Sequence, residues 1–320
     1  MDIVVTGSIA FDYLMTFKGE FSQHLIAEKL DSISVSFLVD NLNKRRGGCA
    51  ANISYNLALL KERPILFGTA GLDFEDYKAD LDNMGVDTTH TKIFHDAYTS
   101  SFFANSDRKG NQIASFYMGA MKYTKELSLE KFKDNGSVMI IIAPNDPEAM
   151  IHFVAQCKEY KLAYVFDPGQ QIVQLDGEAL QEGIKGATIF ILNDYEFEMF
   201  KKKTDMSDKD IYSEVENLIV TRGEKGADIF HTGKKIHIPI AKVTKHGDPT
   251  GVGDAFRAGL LKGLCSSLSW EQAGRLGSLA AAYVLEADGP QSHTYTLEEF
   301  LERYKENFGG SKSVVDALRG

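Results

Sequence analysis

Two carboxylates, a proline and two glycines fall within seven residues in the run DPTGVGD, from Asp248 to Asp254, and AFRAG follows at once. Pro249, Gly251 and Gly253 forbid a strand and allow a tight turn, while residues 254–264 have helical spacing of apolar side chains. A glycine-rich turn that opens a helix aims free amides and the positive end of the helix dipole at one point. That point can hold a phosphate-sized anion, with the carboxylate of Asp254 beside it. The plain alternative makes Asp254 a helix cap, but a cap needs neither two glycines nor a second carboxylate at Asp248.

Other residues have chemical potential and an ordinary reading side by side. Asn193 and Glu196 follow an apolar run at 188–192; alone they are a helix cap and its capping-box partner. The TRGEKG run from Thr221 to Gly226 follows another apolar run, and alone is a hairpin turn. Asp12, just past the first apolar run, alone is a turn residue. Gly48 and Asn52 sit at the start of a helix. Phe37, Phe102, Phe103, Phe116 and Tyr117 lie on segments that alternate polar and apolar residues. Such aromatics either pack together as a core or sandwich a flat ring. His246 reads as a loop residue.

The elements that position these groups follow from patterning. Continuous apolar runs at 138–143, 163–167, 188–192 and 217–220 alternate with amphipathic stretches such as 146–160, which predicts βα units in a mostly parallel sheet covered on both faces. Functional groups of such sheets collect beyond the carboxyl ends of strands, here at residues 144–146, 167–169 and 193–194. A hairpin is expected at 231–235. Segments 13–17, 33–39, 98–105 and 112–117 alternate instead, as antiparallel strands with one wet face do. The expected fold is α/β, a Rossmann-like doubly wound sheet over residues 1–320, with a small β lid inserted near 12–18, 33–39 and 98–118.

Composition sets bounds. With 35 Lys and Arg against 45 Asp and Glu, the net charge of −10 opposes a long phosphate backbone, so no nucleic acid partner is expected. Cys49, Cys157 and Cys265 form no CxxC pair, and the N-terminal run carries Asp2 where a signal peptide needs Lys or Arg. A cytoplasmic chain with reduced thiols is expected, without membrane attachment, since no apolar run approaches about 20 residues. GxGxxG near the N-terminus, GxxxxGK[ST] and HExxH are missing, against dinucleotide oxidoreductases, Walker NTPases and zinc hydrolases.

DPTGVGD resembles the D-x-x-G-x-G-D signature of the ribokinase-like, or PfkB, carbohydrate kinases. GGCAAN, from Gly47 to Asn52, is similar to that family's G-G-x-x-x-N, and Asn193 to Glu196 to its N-x-x-E; the three occur in family order. The resemblance implies an ATP-dependent phosphotransferase. Asp254 would be the catalytic base, and the amides of Gly251, Val252 and Gly253 an anion hole, although the family usually has Ala at 252. Asn193 and Glu196 would organise Mg²⁺ through water. Thr221, Arg222, Gly223 and Gly226 match the nucleotide loop, with Thr250 also toward the nucleotide. Asp248 and Thr250 match positions that bind a monovalent cation in some relatives, so K⁺ is a further candidate.

SVSFLVD, IASFYMGAM, APNDPEAM and DPGQQ are similar to segments of bacterial ribokinase-type adenosine kinases. This implies Ser8, Asp12, Ser36, Gly48, Asn52, Phe102, Phe116, Met121 and Gln171, with Gln170, around a nucleoside. The expected reaction is adenosine plus ATP giving AMP and ADP. Inosine, guanosine, ribose or fructose as acceptor, or a catalytically silent nucleoside sensor, are the alternatives. The lid should close over substrate to exclude water, and is a candidate homodimer surface.

Overall fold

The computed structural model describes residues 1–25, 31–32 and 34–319. In chain order its first half runs β1 (Asp2–Thr6), β2 (Ala10–Thr16), β3 (Asn41–Gly47), α1 (Cys49–Leu59), β4 (Ile65–Phe67), β5 (Thr69–Gly71), α2 (Glu75–Met84), β6 (Lys92–Phe94), β7 (Ser100–Ser106), β8 (Gln112–Tyr117) and β9 (Val138–Ile142). There follow α3 (Pro147–Tyr160), β10 (Ala163–Phe166), α4 (Gly177–Ile184), β11 (Ile189–Asn193), α5 (Asp194–Thr204), α6 (Asp208–Glu214), β12 (Asn217–Thr221), β13 (Ala227–His231) and β14 (Lys234–Ile238). The chain ends with α7 (Val252–Cys265), α8 (Trp270–Leu285), α9 (Leu297–Phe308) and α10 (Lys312–Arg319).

Eight strands form the main sheet in the order β14-β13-β12-β11-β10-β9-β1-β4, parallel from β4 to β12 and antiparallel beyond. Alternate residues of each continuous apolar run enter opposite cores. Val5, Ile141, Val165, Ile191 and Ile219 pack with Ile53 and Leu57 of α1 and Leu260 of α7. Val4, Ile140, Ile142, Phe166, Leu192 and Val220 pack with Phe153 of α3 and Phe200 of α5. Covering on both faces is the reason these strands carry no polar alternation. The expected hairpin is present: Thr232 and Gly233, both at positive φ, join β13 to β14 in a two-residue turn.

The lid is a second sheet, β3-β2-β7-β8, and β5 pairs with β6 in a small third one. Two expectations for the lid fail. Strand β2 pairs with β7 in parallel, where the alternation predicts antiparallel strands. Residues 34–39 form no strand, and Ile33 lies outside the described residues. Phe37 instead packs against Phe17, Phe21 and His24, which takes this stretch off the sheet. The edge strand is the polar run at Asn41–Gly47, paired antiparallel to β2 over its whole length. Its sequence, NLNKRRG, lacks the β-branched residues that mark a strand, because an edge strand facing water is held by main-chain bonds.

Candidate active site

A cavity of about 800 Å³ opens between the lid and the carboxyl ends of the main strands. Its cover is set by register. Arg45, Asp12, Phe102 and Phe116 are successive cross-strand partners on β3, β2, β7 and β8, so they share one face. Asp12, Phe102 and Phe116 line the cavity, with Met121 from the turn after β8.

Its floor is made by two helix starts. Gly48, at φ 93°, precedes α1; a Cβ there would lie 2.5 Å from the Ser8 carbonyl oxygen, so only glycine lets α1 begin against β1. Ser8 Oγ then accepts from the Cys49 amide at 2.9 Å. Gly251, at φ 83°, is the N-cap of α7, which starts two residues earlier than the spacing predicts. Asp254 is thus the third helical residue, at the cavity wall. The Val252 amide is already bonded to the Pro249 carbonyl at 3.3 Å, against its expected place in an anion hole. The amides of Gly251, Gly253 and Asp254 have no acceptor among the described residues, and this is the set free to meet an anion.

Asp254 Oδ2 accepts from Asn52 Nδ2 at 2.8 Å, which leaves Oδ1 for a ligand. Burial raises the carboxyl to about 6, against the pull of Arg257 and the Asn52 bond, with Asp167 adding to the rise. Burial likewise raises Asp12 to about 6 despite Arg45. Beneath the anion site Arg257 is buried, donating from Nη2 to Asp167 Oδ1 at 2.6 Å and from Nη1 to the Gly253 carbonyl at 3.0 Å. Asp167, at the end of β10, is 1% exposed, and burial raises its carboxyl although Arg257 opposes it. Sequence reasoning placed Asp167 at a strand end where functional groups collect but gave it no role, and missed Arg257, whose signal was there, since it stands three residues after Asp254 on the same helix face.

The other end of the cavity holds Asn193, Glu196, Thr221, Gly223, Gly226 and Thr250, beside an apolar wall that includes Ile238, Val243, Ala281 and Leu285. From β1 to β12 is four strand spacings, roughly 19 Å at about 4.8 Å each, enough for two ligands end to end. Asn193 and Glu196 do form a capping box, each side chain accepting from the other's amide at 2.8 Å. Glu196 nonetheless reaches the cavity, its Oε1 has no partner among the described residues, and burial raises its carboxyl. The capping box therefore leaves Glu196 Oε1 open to the cavity.

Three placements differ from expectation. Ser36 is exposed and away from the cavity. Arg222 turns aside to Asp228, Nε to Oδ2 at 2.8 Å, and does not line the cavity. Asp248 is also off the lining: Arg45 Nη1 bonds its Oδ2 at 2.7 Å, and the Thr250 amide its Oδ1 at 2.9 Å. With both oxygens engaged and a guanidinium already in contact, Asp248 does not fit a K⁺ ligand. His246 is a loop residue, as the sequence reading has it, and lines the cavity, as do Ser8, Gly48, Asn52, Gln170 and Gln171.

Residues 14–296 match the pfkB family of carbohydrate kinases. The chain is similar to the nucleoside kinase of Methanocaldococcus jannaschii, 31% identical over 95% of this chain and 97% of that one. It resembles the solved Burkholderia thailandensis nucleoside kinase in complex with inosine, at 35% identity and TM-score 0.84 over 96% of this chain and 98% of that one. The ADP-inosine complex of the same protein aligns with TM-score 0.82 over 97% and 98%.

Proposed function

This chain belongs to the pfkB family of carbohydrate kinases, phosphotransferases that act on hydroxyl groups, and on that premise we propose that it is an ATP-dependent nucleoside kinase for purine nucleosides. The observation that carries the reading is Asp254, with one free carboxylate oxygen, next to three unbonded amides at the start of α7.

The nucleoside lies under the lid, its ribose hydroxyls toward Asp12 and its base between Phe102, Phe116 and Met121. ATP lies at the Asn193 to Thr221 end, its adenine on the apolar wall. Asp254 Oδ1 takes the 5′-hydroxyl proton as that oxygen bonds to the γ-phosphorus and the bond from phosphorus to the β-phosphate oxygen breaks. ADP leaves, and the proton stays on Asp254. The amides of Gly251, Gly253 and Asp254 hold the migrating phosphoryl group. A carboxyl near 6 is ionised at pH 7 yet still basic enough for this role.

Glu196, with one oxygen open to the cavity and an amide partner in Asn193, suits a hydrated magnesium ion; no cluster of three acidic, His or Cys ligands stands among the described residues. Mg²⁺ bound there supplies charge neutralisation on the phosphates. Adenosine is the first acceptor we propose. Inosine is the second, because a relative 35% identical is solved with it.

A cytoplasmic setting suits the three unbonded thiols, and no helix among the described residues is long and apolar enough to cross a membrane. We further propose the exposed edge strand β8, with Ile113 and Tyr117 on the face away from the cavity, as a homodimer surface, checked by mass in solution.

The test is a screen of adenosine, inosine, guanosine, cytidine, ribose and fructose with Mg-ATP, beside Asp254→Asn. Purine nucleosides are expected to turn over, and Asp254→Asn to lose about 10²- to 10⁴-fold in kcat. Turnover of sugars alone would sink the proposal, and tight nucleoside binding without ADP release would replace it with a silent sensor.

A further inference from the structure

A line of three side chains runs from Asp254 to the protein backbone. Asp254 Oδ2 accepts from Asn52 Nδ2 at 2.8 Å, and Asn52 Oδ1 accepts from Gln291 Nε2 at 2.8 Å. The same Nε2 reaches the Tyr77 hydroxyl at 2.5 Å, and that hydroxyl donates to the Gly47 carbonyl at 3.1 Å. Asn52 and Tyr77 are buried and Gln291 is half-buried.

A primary amide can be turned over so that its oxygen and nitrogen change places, but one arrangement alone satisfies every link here. The Gly47 carbonyl can only accept, so the Tyr77 proton is committed to it. Tyr77 Oη is then an acceptor, and Gln291 must present its NH₂. The second hydrogen of that NH₂ faces Asn52, which must answer with Oδ1. The Asn52 NH₂ is thereby turned toward Asp254.

We infer that Gln291 is a positioning residue for Asp254: it holds the Asn52 amide with its nitrogen toward the carboxylate, tying Oδ2 and leaving Oδ1 for the acceptor hydroxyl. The inference rests on Asp254 being the base of the proposed reaction. Freed from Gln291, the Asn52 amide can flip and set its oxygen against Asp254, which opposes ionisation. The other groups acting on Asp254 are Arg257 on its own helix and Asp167 at the end of β10, with the Cys49 thiol of α1 also nearby. None of these touches Gln291 through a hydrogen bond.

The experiment compares full-length wild type, Gln291→Leu and Tyr77→Phe by carboxyl-carbon NMR without ligand, the Asp254 signal being assigned by its loss in Asp254→Asn. The Asp254 midpoint should rise by about half a pH unit in Gln291→Leu, and by less, in the same direction, in Tyr77→Phe. In turnover, the acid limb of kcat should move up with it. The kcat loss of Gln291→Leu would then be about twofold greater at pH 6 than at pH 8, with the acceptor KM changed less than kcat at pH 6.

An unmoved midpoint in either folded variant, or a kcat loss of equal size at every pH, overturns the inference. Should Gln291→Leu not fold, Tyr77→Phe decides alone. Because the titration needs no turnover, a chain that phosphorylates no nucleoside would defeat the functional reading while the midpoint still judges Gln291.

Discussion

Strands β9 and β8 are nearly equal in length and opposite in surroundings. Every residue of β9 is buried, between α1 and α7 on one face and α3 on the other, while every residue of β8 is exposed at the rim of the lid. The floor of the cavity thus hangs from a sheet packed on both sides, and its cover from a four-stranded sheet with a wet face. A buried floor can hold Asp254 and its partners to a fixed geometry. A cover with few apolar contacts belongs to the low-stability end of a fold, which suits the proposed closure over substrate.

The largest expected effect belongs to the floor. Arg257→Met strips the partner from Asp167, whose side chain is 1% exposed against 9% for Arg257, and leaves a buried charge uncompensated. A loss of about 3–5 kcal/mol in urea unfolding is expected. Adding Asp167→Asn should recover part of it. A loss below about 1 kcal/mol would mean the floor is no more rigidly built than the lid.

Next comes the base itself. Its carboxyl titrates near 6 folded and near 3.8 unfolded, so the folded state holds the proton more tightly. Its contribution to stability is whole below about pH 4 and is lost as pH rises through 6. At pH 8 the wild type carries the full cost of an ionised, buried carboxylate. Asp254→Asn should therefore be more stable than wild type at pH 8, by up to about 3 kcal/mol, with the gain fading by pH 4. A gain of the same size at both pH values would show that burial of the charge is not its source.

What the sequence discloses follows the same division. The floor motifs are legible because backbone geometry demands them: no residue with a Cβ fits at 48, and a Cβ at 251 would lie 2.5 Å from Pro290. Strands β9 to β12 are legible because two covered faces admit only apolar residues. The edge strand β3 is not, since it is held to β2 by main-chain bonds and carries mostly polar side chains. Nor are the partners of the site residues, because Arg45 meets Asp248 and Gln291 meets Asn52 across more than 200 residues of chain, and no local spacing encodes a contact that the fold alone creates.

The smallest effect expected is also the one that isolates the lid. Arg45, on the cavity-facing row of the cover, bonds Asp248 before α7 and Asp288 after α8, both at 2.7 Å. Burial pushes the Asp248 carboxyl up, but Thr250 and Arg45 outweigh it and hold it below the usual range. Asp288, with its side chain 83% exposed, adds little because water screens it. The tie to Asp248 is then the link that counts, at about 1–2 kcal/mol for a half-buried charged bond. Arg45→Met should raise the acceptor KM by roughly five- to thirty-fold and increase ATP hydrolysis without acceptor, because a loosened cover admits water. Urea unfolding should lose no more than about 1–2 kcal/mol, since the cores of the main sheet are untouched, and Asp288→Asn should leave KM near the wild-type value. If Arg45→Met instead lowers stability as far as Arg257→Met does, the lid is part of the packed body, and the contrast between β8 and β9 says nothing about motion.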